Sequence, residues 1–109
     1  MWVFTETGFV SAVVHRDDPD ILIVRSRDRQ SIEPLALLVD TEIVTGAGTD
    51  YPHRITCSRD QFTQWAGQNI ASMSYGNFKS RVTQTRGHDF AHALMDVWSA
   101  MCQVEDVRR

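Results

Sequence analysis

The sequence predicts a small α+β domain in which an antiparallel sheet of three or four strands is backed by helices, in the order β-β-α-β-α-α-α. Three observations lead to this prediction. The chain has 109 residues, of which 42% are apolar, enough for one core. Its first half contains β-branched runs separated by turns, and its second half has apolar residues at helical spacing. We therefore expect residues 1–109 to form a single globular domain.

The first two strands are predicted at residues 9–16 (FVSAVVHR) and 21–27 (ILIVRSR), which are rich in β-branched side chains. The residues between them, Asp-Asp-Pro-Asp, are typical of a turn, so the two strands should form an antiparallel hairpin. Residues 2–5 are a candidate further strand.

Strand alternation separates the side chains of the second strand into two faces. Leu22, Val24 and Ser26 share one face, whereas Arg25 and Arg27 lie on the other. The face with the arginines also carries apolar side chains, so it should be covered by a terminal segment or by a partner. A homodimer through this outer sheet face is one such arrangement.

The middle of the chain predicts a helix, a loop, a strand and a second helix. Ser31 can cap a helix over residues 32–39, and residues 40–52 then form a loop with an isolated Gly-x-Gly at 46–48. A third strand over 53–57 precedes Ser-x-x-Gln at 58–61, a capping box that opens a helix of about 14 residues. The stripe expected to face the core is Phe62, Trp65, Ala66, Asn69, Ile70 and Met73.

Two further helices complete the chain. Asn77 should cap a short helix running through Val82 or beyond, which residues 83–87 interrupt. The last helix is predicted over 89–105. Its expected core residues are Phe90, Leu94, Val97, Trp98 and Met101, and on that basis Trp98→Ala should cost about 3 to 5 kcal/mol.

Composition, net charge and cysteine spacing argue against several classes of protein. The net charge of −3 does not indicate a strongly electrostatic nucleic-acid binder. The apolar runs are too short to cross a bilayer, and the N-terminus lacks the basic region of a signal peptide, so a cytoplasmic location without membrane contact is expected. Cys57 and Cys102 show no metal-binding or disulfide spacing and are predicted to be reduced and packed. No cofactor and no metal are predicted.

Two patterns leave metal binding open. His88, His92 and Asp96 recur at the spacing of one helical turn, as in a zinc helix, but they also suit an ordinary solvated face. The acidic residues 17, 18 and 20 beside His15 could hold magnesium, although hairpin turns collect Asp for backbone reasons.

An acid-free segment, residues 69–88, is the better candidate for binding. Amide donors at the start of the predicted helix, with cations nearby, could bind phosphate or a carboxylate surface, and an aromatic ring could stack on a base. Alternatively, the aromatic residues anchor the core and the cations are solvated. The candidate binding residues here are Tyr75, Asn77, Lys79, Arg81 and Arg86, which join Arg25 and Arg27 on the sheet.

Several short motifs lie along the chain: FT..GF at its start, HRDDPD with VRSR, DY..RI, Y.NFK, and VW..M near its end. As a set they resemble a group of small proteins of actinobacteria and their phages. The resemblance implies a phage or mobile-element context but no reaction, and it transfers no catalytic residue. Among the residues of these motifs, the aromatic ones are expected in the core, and the polar ones most worth testing are His15, Arg25, Arg27, Asn77, Lys79 and Arg81.

These observations predict a non-enzymatic accessory or regulatory protein that binds a macromolecular partner, most simply another protein. The alternative is a nucleic-acid-binding or metal-dependent nuclease-like protein, in which Arg25 and Arg27 act together with the acidic turn. The two hypotheses differ in one structural feature, which is whether the arginines and the turn acids converge in a pocket.

Overall fold

The computed structural model describes residues 1–46 and 50–106, and it divides into two compact units, Met1–Ser74 and Tyr75–Arg109. The first unit contains an antiparallel sheet and two helices, which confirms the α+β class. Its strand order is β1-β2-β3-β5-β4. The strands are β1 (Trp2–Thr5), β2 (Gly8–Val14), β3 (Ile21–Ser26), β4 (Val44–Thr45) and β5 (His53–Ser58).

The sheet has five strands, whereas three or four were expected. The candidate strand at the N-terminus is confirmed, and it lies at one edge of the sheet against β2. The additional strand is β4, which falls inside the predicted loop and pairs with β5. Two residues are too few to show alternation, so only tertiary pairing reveals this strand. Residues 47–49 of the loop, including the second glycine of Gly-x-Gly, lie outside the described residues.

The predicted hairpin of β2 and β3 is confirmed, and its turn is built by the acidic residues. Asp18 Oδ1 accepts a hydrogen bond from the N–H of Asp20 at 2.9 Å. His15 Nδ1 accepts one from the N–H of Asp17 at 3.1 Å. Both contacts close the turn on itself, as Asp commonly does at such positions.

Two helices cover the inner face of the sheet: α1 (Arg29–Val39) and α2 (Arg59–Ala71). The N-cap of α1 is Asp28, so the predicted cap at Ser31 is wrong. Ser31 instead lies buried in the first turn, where its hydroxyl accepts a hydrogen bond from the N–H of Phe9 at 3.1 Å and donates to Asp28. Ser31 is thus the third residue of the helix, and its hydroxyl links β2 to the Asp28 side chain at the helix start.

The capping box that opens α2 is confirmed. The Ser58 hydroxyl accepts from the Gln61 N–H at 3.1 Å, and the Gln61 side chain accepts from the Ser58 N–H at 2.8 Å. The predicted core stripe is correct only in its first part, because Ile70 and Met73 are 70% and 52% exposed. The core of this unit is Val10, Ala12, Leu22, Val24, Ile32, Leu35, Ala36, Ile55, Cys57, Phe62 and Trp65.

The second unit pairs α3 (Phe78–Arg86) with α4 (His88–Met101), followed by a 3₁₀ turn at Cys102–Val104. The predicted cap is confirmed, since Asn77 Oδ1 accepts from the Ser80 N–H at 2.9 Å. The predicted break over residues 83–87 is too wide. Only Gly87 leaves the helical conformation, with φ of +89°, a value that glycine adopts readily.

The predicted core face of α4 is wrong over its second half. Trp98 is 66% exposed, and Val97 and Met101 are exposed as well, whereas Phe90 and Leu94 are half-buried. Among the described residues of this unit, Ala91 and Val82 are buried. Since α3 has nine residues and α4 has fourteen, the last turns of α4 extend past the helix with which it pairs. None of the described helices is long and apolar enough to cross a membrane.

The two cysteines differ in environment, which corrects the expectation that both are packed. Cys57 is buried on β5, and burial raises the pKa of its thiol, whereas Cys102 is exposed. Because the thiolate is the reactive form, we expect a thiol reagent such as DTNB to label Cys102 rapidly and Cys57 only on unfolding. Counting labelled thiols before and after adding denaturant tests this, with Cys102→Ser as the control. Rapid labelling of both thiols in the native protein would contradict it.

Candidate functional site

A continuous row of side chains crosses the outer face of the sheet. The register pairs Trp2 with Ser11, Ser11 with Arg25, Arg25 with Arg54, and Arg54 with Val44, so the row spans all five strands. Directly paired residues project from the same face. Two arginines on neighbouring strands therefore lie side by side, and like charges in this position repel each other.

Tyr51, two residues before the start of β5, packs against two arginines of this face. The guanidinium carbons of Arg25 and Arg27 lie 4.6 Å and 4.4 Å from the centroid of its ring. The tyrosine is only 5% exposed. Cation–π attraction to the ring and packing over it hold both guanidinium groups in place.

Two of these arginines have an N–H donor that lacks an acceptor. Arg25 donates from Nη2 to Ser11 Oγ at 2.9 Å. The Nε atoms of Arg25 and Arg54 are buried and have no acceptor among the described residues. A buried donor without an acceptor lowers stability, so packing rather than hydrogen bonding fixes these side chains.

Positive charge dominates this part of the surface. Three guanidinium groups gather there, and the outward-facing positions of the described strands carry no Asp or Glu. Among the described residues, the carboxylate that forms an ion pair with them is that of Asp50, 3.1 Å from Arg27 and exposed. Exposed pairs of this kind contribute little, so most of the cationic charge is uncompensated.

Aromatic side chains continue the same face toward β1. Trp2 is 68% exposed and meets Phe9 edge-on, with ring centroids 5.7 Å apart. Phe9 stacks on Phe4 at 4.6 Å with an interplanar angle of 19°. We call the arginines and aromatic residues of this face the outer-face patch: Trp2, Phe4, Phe9, Arg25, Arg27, Tyr51 and Arg54.

The predicted binding residues of the acid-free segment all lie in the second unit. Asn77 is used as a helix cap, and Lys79 is exposed. The guanidinium carbon of Arg86 lies 4.1 Å from the centroid of the Phe90 ring, and Arg81 donates to Gln84 at 3.4 Å. Tyr75 faces Phe78 with ring centroids 5.7 Å apart. Most of these side chains thus have contacts within their own unit, and Lys79 is exposed.

The arginines and the acidic turn do not converge. Residues 17–20 precede the first residue of β3, whereas Arg25 and Arg27 lie at its far end. At about 3.3 Å per residue, the strand separates the two groups by roughly 15 Å. In the described part of the chain, no group of three or more His, Cys, Asp and Glu side chains could hold a metal ion. His88, His92 and Asp96 are exposed on α4.

The structure brings together two predicted residues, Arg25 and Arg27, with two that the sequence did not single out, Tyr51 and Arg54. Both of these residues belong to the motif DY..RI at 50–55, but their position beside the arginines of β3 depends on how β3 pairs with β5. Comparison with known proteins adds no constraint, because no protein-family model, curated protein or solved structure matches this chain.

Proposed function

We propose that this chain is a non-enzymatic accessory protein that binds a partner protein through the outer-face patch, and that the partner presents carboxylates to the arginines. The observation that carries the proposal is the state of Arg25 and Arg54. The two side chains lie side by side with like charge, and each has a buried donor without an acceptor. An arriving anion would offset the repulsion between them.

The composition of the patch supports a protein as the partner. Trp, Tyr and Arg are the residues that most often dominate binding energy in protein interfaces. Here the same sheet face carries an exposed tryptophan and three guanidinium groups, two of which are preorganised on a tyrosine ring. Ordering these side chains before binding reduces the entropy lost on association.

The same features favour a protein over a nucleic acid. A single-stranded nucleic acid needs open aromatic faces on which bases stack. The Tyr51 ring is almost fully buried and Phe4 already stacks on Phe9, so the exposed Trp2 is a single open ring, too few for successive bases to stack. The sequence resemblance suggests a phage or mobile-element context for the partner.

A binding assay with defined probes tests the proposal. A fluorescent polyglutamate peptide and a single-stranded DNA oligonucleotide of matched charge would be titrated with the protein, and fluorescence anisotropy recorded at several salt concentrations. We expect the peptide to bind more tightly than the oligonucleotide. Stronger binding of the oligonucleotide would favour the nucleic-acid hypothesis, and binding of neither probe would refute the proposed function.

Variants locate the site. We expect Arg25→Ala and Arg54→Ala each to weaken binding of the peptide by roughly tenfold or more, equivalent to about 1.4 kcal/mol, because each removes one charged donor. Arg16→Ala is the matched control, since this exposed arginine lies in the turn at the other end of β3. Melting temperatures show whether each variant remains folded. Equal loss of binding in the control would indicate nonspecific charge attraction.

A further inference from the structure

Strand β1 lies at one edge of the sheet, and no other strand of the described residues pairs with its outer side. Met1 and Ala12 exchange two backbone hydrogen bonds, each of 2.8 Å. This pair shows which residues of β1 form hydrogen bonds to β2, because hydrogen-bonded and non-hydrogen-bonded pairs alternate along two antiparallel strands. Residues 1, 3 and 5 of β1 therefore turn their N–H and C=O groups toward β2. The backbone groups of Trp2 and Phe4 point the other way, toward the free edge.

This edge lacks the usual protection. Sheet edges are commonly blocked by proline, by a charged side chain or by a bulge. The sequence of β1 is Trp-Val-Phe-Thr, which contains no proline and no charge, and its pairing with β2 is regular over all four residues. An open apolar edge of this kind is a template for another strand.

We propose that β1 pairs antiparallel with β1 of a second copy of this chain. In the register we infer, Trp2 lies opposite Phe4 of the second copy, and Val3 lies on the two-fold axis. The two residues with outward-pointing backbone groups then form two equivalent pairs, each with two hydrogen bonds. The strand is thus complementary to itself, as a symmetric dimer requires.

Side chains fit the same register. Trp2 and Phe4 share the outer face, because they pair with Ser11 and Phe9. Across the two-fold axis, the exposed indole of one copy would adjoin the phenyl ring of the other, a favourable cross-strand aromatic pair. Val3, on the inner face against the core, would meet Val3 of the second copy. The dimer would contain one sheet of ten strands, five from each copy.

Two substitutions at one position test the pairing. Phe4→Pro removes an N–H that points to the free edge and leaves the hydrogen bonds to β2 intact. Phe4→Ala removes the same side chain but retains the N–H, so it is the matched control. Sedimentation over a wide range of protein concentration should show dimers of the wild type, weaker dimers of Phe4→Ala, and only monomers of Phe4→Pro. A monomeric wild type, or equal association of the two variants, would overturn the proposal.

A cross-linking experiment keeps the proposal testable if Phe4→Pro fails to fold. In a Cys102→Ser background, which removes the exposed thiol, Val3→Cys would place two cysteines at a non-hydrogen-bonded pair across the axis. Their Cα atoms, about 4.5 Å apart, are within disulfide range. The control is Leu37→Cys in the same background, on an exposed site of α1. We expect rapid disulfide dimers only for Val3→Cys, and equal rates for both variants would contradict the register.

Discussion

Gly8→Ala is expected to reduce the stability of the first unit by about 3 to 5 kcal/mol, enough to unfold a marginal domain. Gly8 follows the two-residue turn between β1 and β2 and has φ of +153°, a conformation that residues with a Cβ rarely adopt. A Cβ at this position would lie 2.2 Å from Ser31 Oγ and 2.7 Å from Ser31 Cα. Because the latter atom belongs to the backbone of α1, the clash cannot be relieved by a side-chain rotation alone.

Chemical denaturation of the variant, followed by circular dichroism, measures this loss. Gly67→Ala is the matched control, since a Cβ there meets nothing within 4 Å and the residue lies inside α2. Alanine in a helix interior should stabilise the protein by about 0.5 to 1 kcal/mol. A Gly8→Ala variant as stable as the wild type would show that α1 can move away from β2 at little cost.

Features encoded within a few residues were predictable from the sequence. The capping box at Ser58 and Gln61 requires only neighbouring side chains, and so does the cap at Asn77. The hairpin of β2 and β3 followed from two alternating runs and an Asp-rich turn. Ser31 shows the limit of this reasoning, because its hydroxyl accepts a hydrogen bond from Phe9, 22 residues away in the chain, and the helix begins at Asp28 instead.

The candidate site was only half predictable for the same reason. Alternation placed Arg25 and Arg27 on the outer face, but nothing in the sequence fixes which residue of β5 lies opposite Arg25. Arg54 is 29 residues further along the chain, and the intervening segment includes α1 and β4. Tyr51 precedes its strand, so no alternation pattern includes it. Both residues enter the site through tertiary pairing.

Helical periodicity identifies the apolar face of a helix but not whether another element covers it. Trp98 lies seven residues, or two turns, beyond the buried Ala91, so the two residues share one face of α4. Only the first part of that face is buried, because α3 is five residues shorter than α4. The helix itself was predicted correctly. The prediction that Trp98 lies in the core was wrong because the neighbouring helix is too short to cover it.

Substitution of two tryptophans provides a direct test of this distinction. Trp65→Ala should cost about 3 to 5 kcal/mol, because the side chain is 4% exposed and packs against Phe62 at a centroid distance of 5.5 Å. Trp98→Ala should change stability by less than about 1 kcal/mol, because most of that indole already contacts solvent. Each variant would be unfolded in urea and monitored by circular dichroism, so that the lost fluorophore does not affect the signal. A large loss on replacing Trp98 would mean that its exposed indole is covered in solution, by another copy or by a further segment of the chain. A small loss on replacing Trp65 would refute the packing of α2 against the sheet.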